Sequence, residues 1–487
     1  MTSETLSTDL AAEAYSPSLA ARNRLVINIL LVSTFVVILN ETVMSVAIPR
    51  LMESLSVPAS AAQWLTTAFL LTMAVVIPVT GFLLQRLNTR PIYLTAMTLF
   101  CLGTLTAALA PGLEVLIIAR VVQACGTAIM LPLLMTTVMT LVPPETRGRT
   151  MGNISIVISV APAIGPTLSG LILNYLDWRW MFILVLPIAL AAMALGARRM
   201  VNVTTPRYAP LDLPSVVVSA LAFGGIVYGL SNLGVPEAGQ SGWIALGVGV
   251  LAMAIFIARQ LVLQRKNGAL LDLRPFVSKN FSISILMMAV SMMALFGTII
   301  LLPIYLQNVL GLSTLQTGLL LLPGGLLMGL LAPPVGRLYD RFGPTVLLVP
   351  GTIIVSGVLW AMTLLGPTTW VGAILAGHIA MSIGLALLFT PLFTVSLSSV
   401  KPEFYSHGSA LLGSIQQVAG AAGVALFVAL MSSRSDALVA AGEAQKLALS
   451  GGITTGFFCG AVISVLAVIA AFFIRRAPEQ QGPAPGH

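Results

Sequence analysis

GFLLQRLNTRP at residues 81–91 and GRLYDRFGPT at residues 336–345 are two variants of one pattern: a Gly, a short hydrophobic step, an Asp or Gln, then an Arg. Each copy interrupts a series of long apolar runs. Of the 487 residues, 57% are hydrophobic and only 8% charged, too few polar groups to cover a soluble domain. The solvent is therefore lipid. Crossing a hydrocarbon core of roughly 30 Å takes about 20 apolar residues per helix, because each residue rises about 1.5 Å and the backbone must satisfy its own amides. Fourteen such stretches can be marked.

Working outward, the two copies fall at the same end of the second helix in each of two six-helix sets, which is the layout of a parallel repeat. The expected fold is all-α and integral to the membrane: two six-helix bundles plus two inserted transmembrane helices. A disordered tail at 1–24 precedes an N-terminal bundle at 25–197. Linkers and the inserted pair occupy 198–280, a C-terminal bundle 281–474, and a second tail 475–487. In the second linker, Leu271, Leu273, Phe276 and Val277 suggest the apolar side of an interfacial amphipathic helix.

The formal net charge of +8 would suit nucleic acid in a soluble protein, but here its placement explains it. With the N-terminus inside, only Arg50, Arg179, Arg434 and Lys446 of the 24 basic residues lie outside, and Arg120 lies within a helix. Both termini are therefore expected in the cytoplasm. Cys101, Cys125 and Cys459 all fall in apolar helices with no pair spacing, which implies neither a disulfide nor a metal site. There is no GxxxxGK[ST] loop and no nucleophile–base constellation, so ATP hydrolysis and enzyme chemistry are not indicated.

Polar residues inside apolar helices carry the functional reading. LNETVMSVAIP at 39–49 puts Asn40 and Glu41 into the first helix. An acidic residue at mid-helix costs around 2.5 to 3.5 kcal/mol on insertion scales, so it persists mainly where it faces a cavity and has a task. LIIARVVQACGTAI at 116–129 places Arg120 and Gln123 in helix 4, with Arg120 and Glu41 at about one depth, where they would form a conditional pair. Two plainer readings stay open: Arg120 holds carbonyls and Gln123 to brace the bundle, or Glu41 hydrogen-bonds Thr42.

SVAPAIGPTLSG at 159–170 lines small residues, Ala161, Gly165, Ser169 and Gly170, along one face, while Pro162 and Pro166 remove backbone donors. SIQQVAGAAG at 414–423 and PIYLQNVLG at 303–311 supply Gln416, Gln417, Tyr305, Gln307 and Asn308, either as the C-terminal wall of a mostly apolar cavity or as packing partners within the bundle. His378 in helix 12 reads as hydrogen-bonded structure.

On these segments the chain resembles the fourteen-helix drug:proton antiporter family of the major facilitator superfamily, in the branch of lincomycin-type and broader multidrug exporters. The resemblance covers nearly the whole chain. Asn40 stands at the acidic position of the family's Leu-Asp-x-Thr pattern, with Glu41 one residue later. The helix-4 segment is similar to the family's Arg-x-x-Gln-Gly-x-Gly motif, with Ala124 at its first Gly. Asp340 and Arg341 match the Asp-Arg gate motif, whereas Gln85 replaces the acid in the first copy and leaves Arg86 and Arg90.

The resemblance implies a major facilitator fold in the cytoplasmic membrane and export of hydrophobic or amphipathic drugs by alternating access. It implies no cofactor: Glu41 would take a proton from outside and release it inside, so that the proton gradient drives export. Ala161, Pro162, Gly165, Pro166 and Gly170 would belong to the antiporter signature. The implied partners are a drug-like small molecule, protons and the lipid bilayer, with the chain a monomer and a periplasmic adaptor as a further partner to consider. A dedicated exporter of one metabolite, lipid or siderophore shares the same fold and stays open.

Overall fold

A computed structural model describes residues 17–204, 206–208, 210–233 and 240–475; the side chain of Pro166 lies outside the described residues. The described residues form fourteen helices long and apolar enough to cross a membrane. The first six are α1 (Pro17–Leu55), α2 (Ala59–Arg86), α3 (Thr89–Ala108), α4 (Leu113–Leu141), α5 (Arg147–Tyr175) and α6 (Trp180–Arg199). The inserted pair is α7 (Leu213–Asn232) and α8 (Ser241–Leu263). The last six are α9 (Lys279–Ile304), α10 (Thr314–Phe342), α11 (Thr345–Met362), α12 (Val371–Ser398), α13 (Tyr405–Ala440) and α14 (Gln445–Ala471).

Helix α1 begins at Pro17, so residues 17–24 of the expected tail are helical. Arg22 and Arg24 end the uncharged run, but long basic side chains reach past the hydrocarbon edge without breaking a helix. Residues 1–16 of that tail, and 476–487 of the second, lie outside the described residues. The expected amphipathic helix in the second linker reduces to one turn of 3-10 helix, Arg274–Val277. The physical reason is Gln260, whose Oε1 accepts from the backbone N–H groups of both Leu270 and Leu271 and holds that chain extended. Leu271 then points inward, fully buried, while Val277 is 84% exposed.

The faces left bare are apolar, as lipid contact requires: Val250, Leu251, Ile255 and Val262 of α8 are all about half exposed or more. Within the inserted pair, Gly225 and Gly229 of α7 lie against Gly249 and Leu246 of α8 with no room for a Cβ. Asp212 caps α7 by accepting from Ser215 N–H and binds Arg259 of α8 through two 2.7 Å hydrogen bonds. The Arg259 guanidinium holds the Asp212 carboxyl down to about 2. Helix α7 packs on both α2 and α13, so the inserted pair lies along one seam between the halves. The opposite seam is direct contact of α5 with α10.

Candidate functional site

Arg120 is fully buried in the N-terminal bundle, and every contact it makes compensates that burial. Its Nη1 donates to Asn40 Oδ1 (3.1 Å) and to Gln123 Oε1 (3.0 Å), and its Nε points at the Leu65 carbonyl (3.5 Å). The guanidinium lies 4.0 Å from the centre of the Phe69 ring. Gln123 in turn donates to Thr104 Oγ1 (2.8 Å), which fixes its amide with the oxygen toward Arg120. Gly103 permits this approach, because a Cβ there would strike the backbone of Ala119 and Gln123.

Glu41 stands apart from that cluster. Among the described residues no ion pair within 4.0 Å joins it to Arg120, although the two charges act on each other electrostatically. Asn40, one residue earlier, takes the guanidinium, and a step of about 100° around the helix turns Glu41 to another side. Glu41 is enclosed by the bundle yet keeps part of its surface open, as a side chain lining an internal crevice does. Thr42 bonds back to the Leu39 carbonyl (3.1 Å). On α5, Gly165 faces Thr42 so closely that a Cβ would overlap it, while Ala161 is fully buried and Pro162 half-buried. Gly170 is different: it is exposed and nothing approaches it.

A second set of contacts gathers at the end of the molecule that carries the two copies of the Gly-x-x-x-Asp/Gln-Arg pattern, here called the basic face. Asp340, at the end of α10, accepts from the backbone N–H groups of Gly148 (2.7 Å) and Arg149 (2.8 Å) in the first turn of α5. Those donors have no partner within their own helix, and the helix dipole favours a carboxylate there. Gly336, one turn earlier, lies directly on the Gly148 carbonyl. The first copy repeats this geometry with different chemistry. Gly81 packs on Ser406, His407 and Ala410 of α13, and Gln85 Oε1 lies 3.1 Å from His407 Nε2. Since the Asp272 N–H donates to His407 Nδ1 (3.2 Å), Nε2 carries the ring proton and donates to Gln85.

Two hydroxyl pairs add to the same end, Thr136 with Ser409 and Ser155 with Thr390, each at 2.8 Å. Arg147 of α5 lies 5.6 Å over the Tyr405 ring of α13. Arg86 stacks on Tyr208, Arg341 on Phe342, and Arg90 donates to the Ala197 carbonyl, so among the described residues these three serve their own surroundings. The hydrogen bonds described between the two six-helix sets, at Asp340, Gln85, Thr136 and Ser155, all lie toward the basic face.

The residues of the candidate C-terminal wall fall in two places, the end of α9 and the middle of α13. Tyr305 is fully buried in a π-helical turn, Tyr305–Val309, and donates to the Gly366 carbonyl (2.6 Å) in the turn after α11. Gln307 and Asn308 share that turn at the far end of α9, and Asn308 is exposed. Gln416 and Gln417 sit half-buried in α13, with Gln416 Nε2 enclosed and unpartnered. The sequence reading missed His407, Thr104 and Phe69. His407 lies in the first turn of α13, where that helix meets α2 at Gln85, a contact visible only in the fold.

Two similar sets of six membrane-length helices with an inserted pair between them, the sets joined at the basic face by repeated latches, define a transporter scaffold. The Major Facilitator Superfamily profile matches residues 30–424, and the chain belongs to that superfamily, a multi-pass protein of the cell membrane and a secondary transporter, not an enzyme. It is similar to the lincomycin resistance protein LmrB of Bacillus subtilis, 37% identical over 92% of this chain and 95% of that protein. A multidrug resistance protein B homolog of Mycobacterium tuberculosis is 29% identical over 84% and 76%. Among solved structures, the human organic anion transporter MFSD10 aligns with a TM-score of 0.65 over 92% of this chain and 99% of that one, at 14% identity. The proton:xylose symporter XylE aligns at 0.63 over 94% and 96%, at 16% identity.

Proposed function

We propose that the chain exports hydrophobic or amphipathic drugs in exchange for protons, its two halves rocking about a site at the level of Arg120 and Glu41. The observation that carries this reading is a carboxylate, Glu41, held inside the bundle beside a buried arginine that has satisfied itself elsewhere. An unpaired carboxylate in such a place is costly when charged, and gaining or losing a proton is the way to relieve that cost. Drug specificity is supported by the resistance proteins to which the chain is similar.

Lys and Arg crowd the basic face, which by the positive-inside tendency is cytoplasmic. The described arrangement is then closed toward the cytoplasm, and the latches at Asp340 and Gln85 must part for cargo to enter from within. In proteoliposomes, lincomycin added to the side of uptake should drive proton movement, read with a trapped pH dye. Glu41→Gln should abolish that signal while lincomycin binding persists. Undiminished proton exchange in this variant refutes the coupling role. Transport of one natural compound and none of a broad drug panel would reassign the chain as a dedicated exporter.

A further inference from the structure

The two halves carry basic residues at matching places. Arg120 is the eighth residue of α4 and His378 the eighth of α12, and each stands six residues before a glycine, Gly126 or Gly384. Each also points a nitrogen at a backbone carbonyl on the second helix of its own half: Arg120 Nε at Leu65 (3.5 Å), His378 Nε2 at Leu321 (3.1 Å). When Gly81 is aligned with Gly336, Phe69 falls on Gly324. Phe69 is the ring on which Arg120 lies, and Gly324 is the glycine pressed against the His378 imidazole, where a Cβ would meet Nε2. The C-terminal half has thus moved the ring from the second helix to the fourth.

The difference lies in what completes each site. Arg120 finds Asn40 and Gln123, but the place of Gln123 is taken by Met381. A carbonyl can only accept, so His378 Nε2 carries the proton and Nδ1 presents a lone pair. That lone pair is enclosed and has no donor, and the neighbouring Ser382 hydroxyl is already given to the His378 carbonyl. A buried acceptor without a donor is costly and calls for one.

We propose that His378 is a cargo-binding residue, its Nδ1 accepting a hydrogen bond from an N–H or O–H group of the transported molecule. This rests on the export reading above and narrows it to cargo that carries a donor.

Purified protein in nanodiscs tests this with two probes: lincomycin, which bears hydroxyl and amide donors, and tetraphenylphosphonium, which has none. His378→Gln keeps an N–H for Leu321 but removes the acceptor, and should weaken lincomycin about tenfold while leaving tetraphenylphosphonium within about twofold. His378→Asn, whose amide oxygen stands near the Nδ1 position, should recover most of the loss. The 15N resonance of Nδ1, assigned by its absence in His378→Gln, should move when lincomycin is added. Equal loss of both probes, no loss of either, or an unmoved resonance overturns the proposal. A wild-type chain that binds neither probe overturns the export reading instead.

Discussion

At the basic face, Asp340 sets two carboxylate oxygens against two N–H groups at the start of α5, whereas Gln85 offers one neutral oxygen to His407 at the start of α13. The backbone beneath is alike: a glycine one turn earlier lets the helix end approach its partner in both copies. Geometry has been kept and charge has not. Charge-assisted hydrogen bonds contribute about 1.5 to 3 kcal/mol each and a neutral one about 0.5 to 1.5, so the α5–α10 latch should dominate closure and the α2–α13 latch should yield first.

The strongest way to break this comparison is to remove both anchors in turn. Asp340→Ala should shift the balance toward the parted state by about 3 kcal/mol, roughly a hundredfold, and Gln85→Ala by about 1 kcal/mol, roughly fivefold. Spin labels placed across the basic face would read both populations, and equal shifts would show that charge does not rank the latches. A smaller contrast comes from the glycines. Gly336→Ala drives a methyl into the Gly148 carbonyl, whereas at Gly81 the nearest atom is the Ala410 Cβ at 3.1 Å. Crowding of the first kind costs about 1 to 3 kcal/mol of closure, and Gly81→Ala should cost well under that. The same labels would measure it.

The smallest effect should come from Asp212→Asn, which loosens the inserted pair and leaves both latches in place. Because the folded state holds the Asp212 carboxyl well below its ordinary value, its contribution is present above about pH 3.9 and is lost as the pH falls through about 2. At neutral pH the variant should melt slightly earlier with unchanged label distances. A clear change in those distances would make the inserted pair part of the latch.

How far this could be read beforehand depended on what the signal measures. Apolar length alone marks a helix, so the fourteen spans and the repeated glycine pattern were legible. Rotation about a helix axis is not a property of length. Asn40 and Glu41 are adjacent in sequence, and only the packing of α1 on α4 decides which of them reaches Arg120. The sequence leaves Tyr305, Gln307 and Asn308 either as a cavity wall or as packing partners, and the fold places them in a π turn at the end of α9, where Tyr305 ties the α11–α12 connection. Gln85 with His407 pairs residues 322 positions apart, a contact no local pattern announces.

The α5–α10 seam is built largely from Gly148 on Gly336, Gly152 on Ala332 and Gly329 on Val160. Long side chains that interlock must each give up rotamer freedom when a surface forms and regain it when the surface parts. Glycine and alanine have almost none to exchange. The seam can therefore be made and unmade in every cycle with little entropic toll, its strength set by close atomic contact and by the carboxylate at its end.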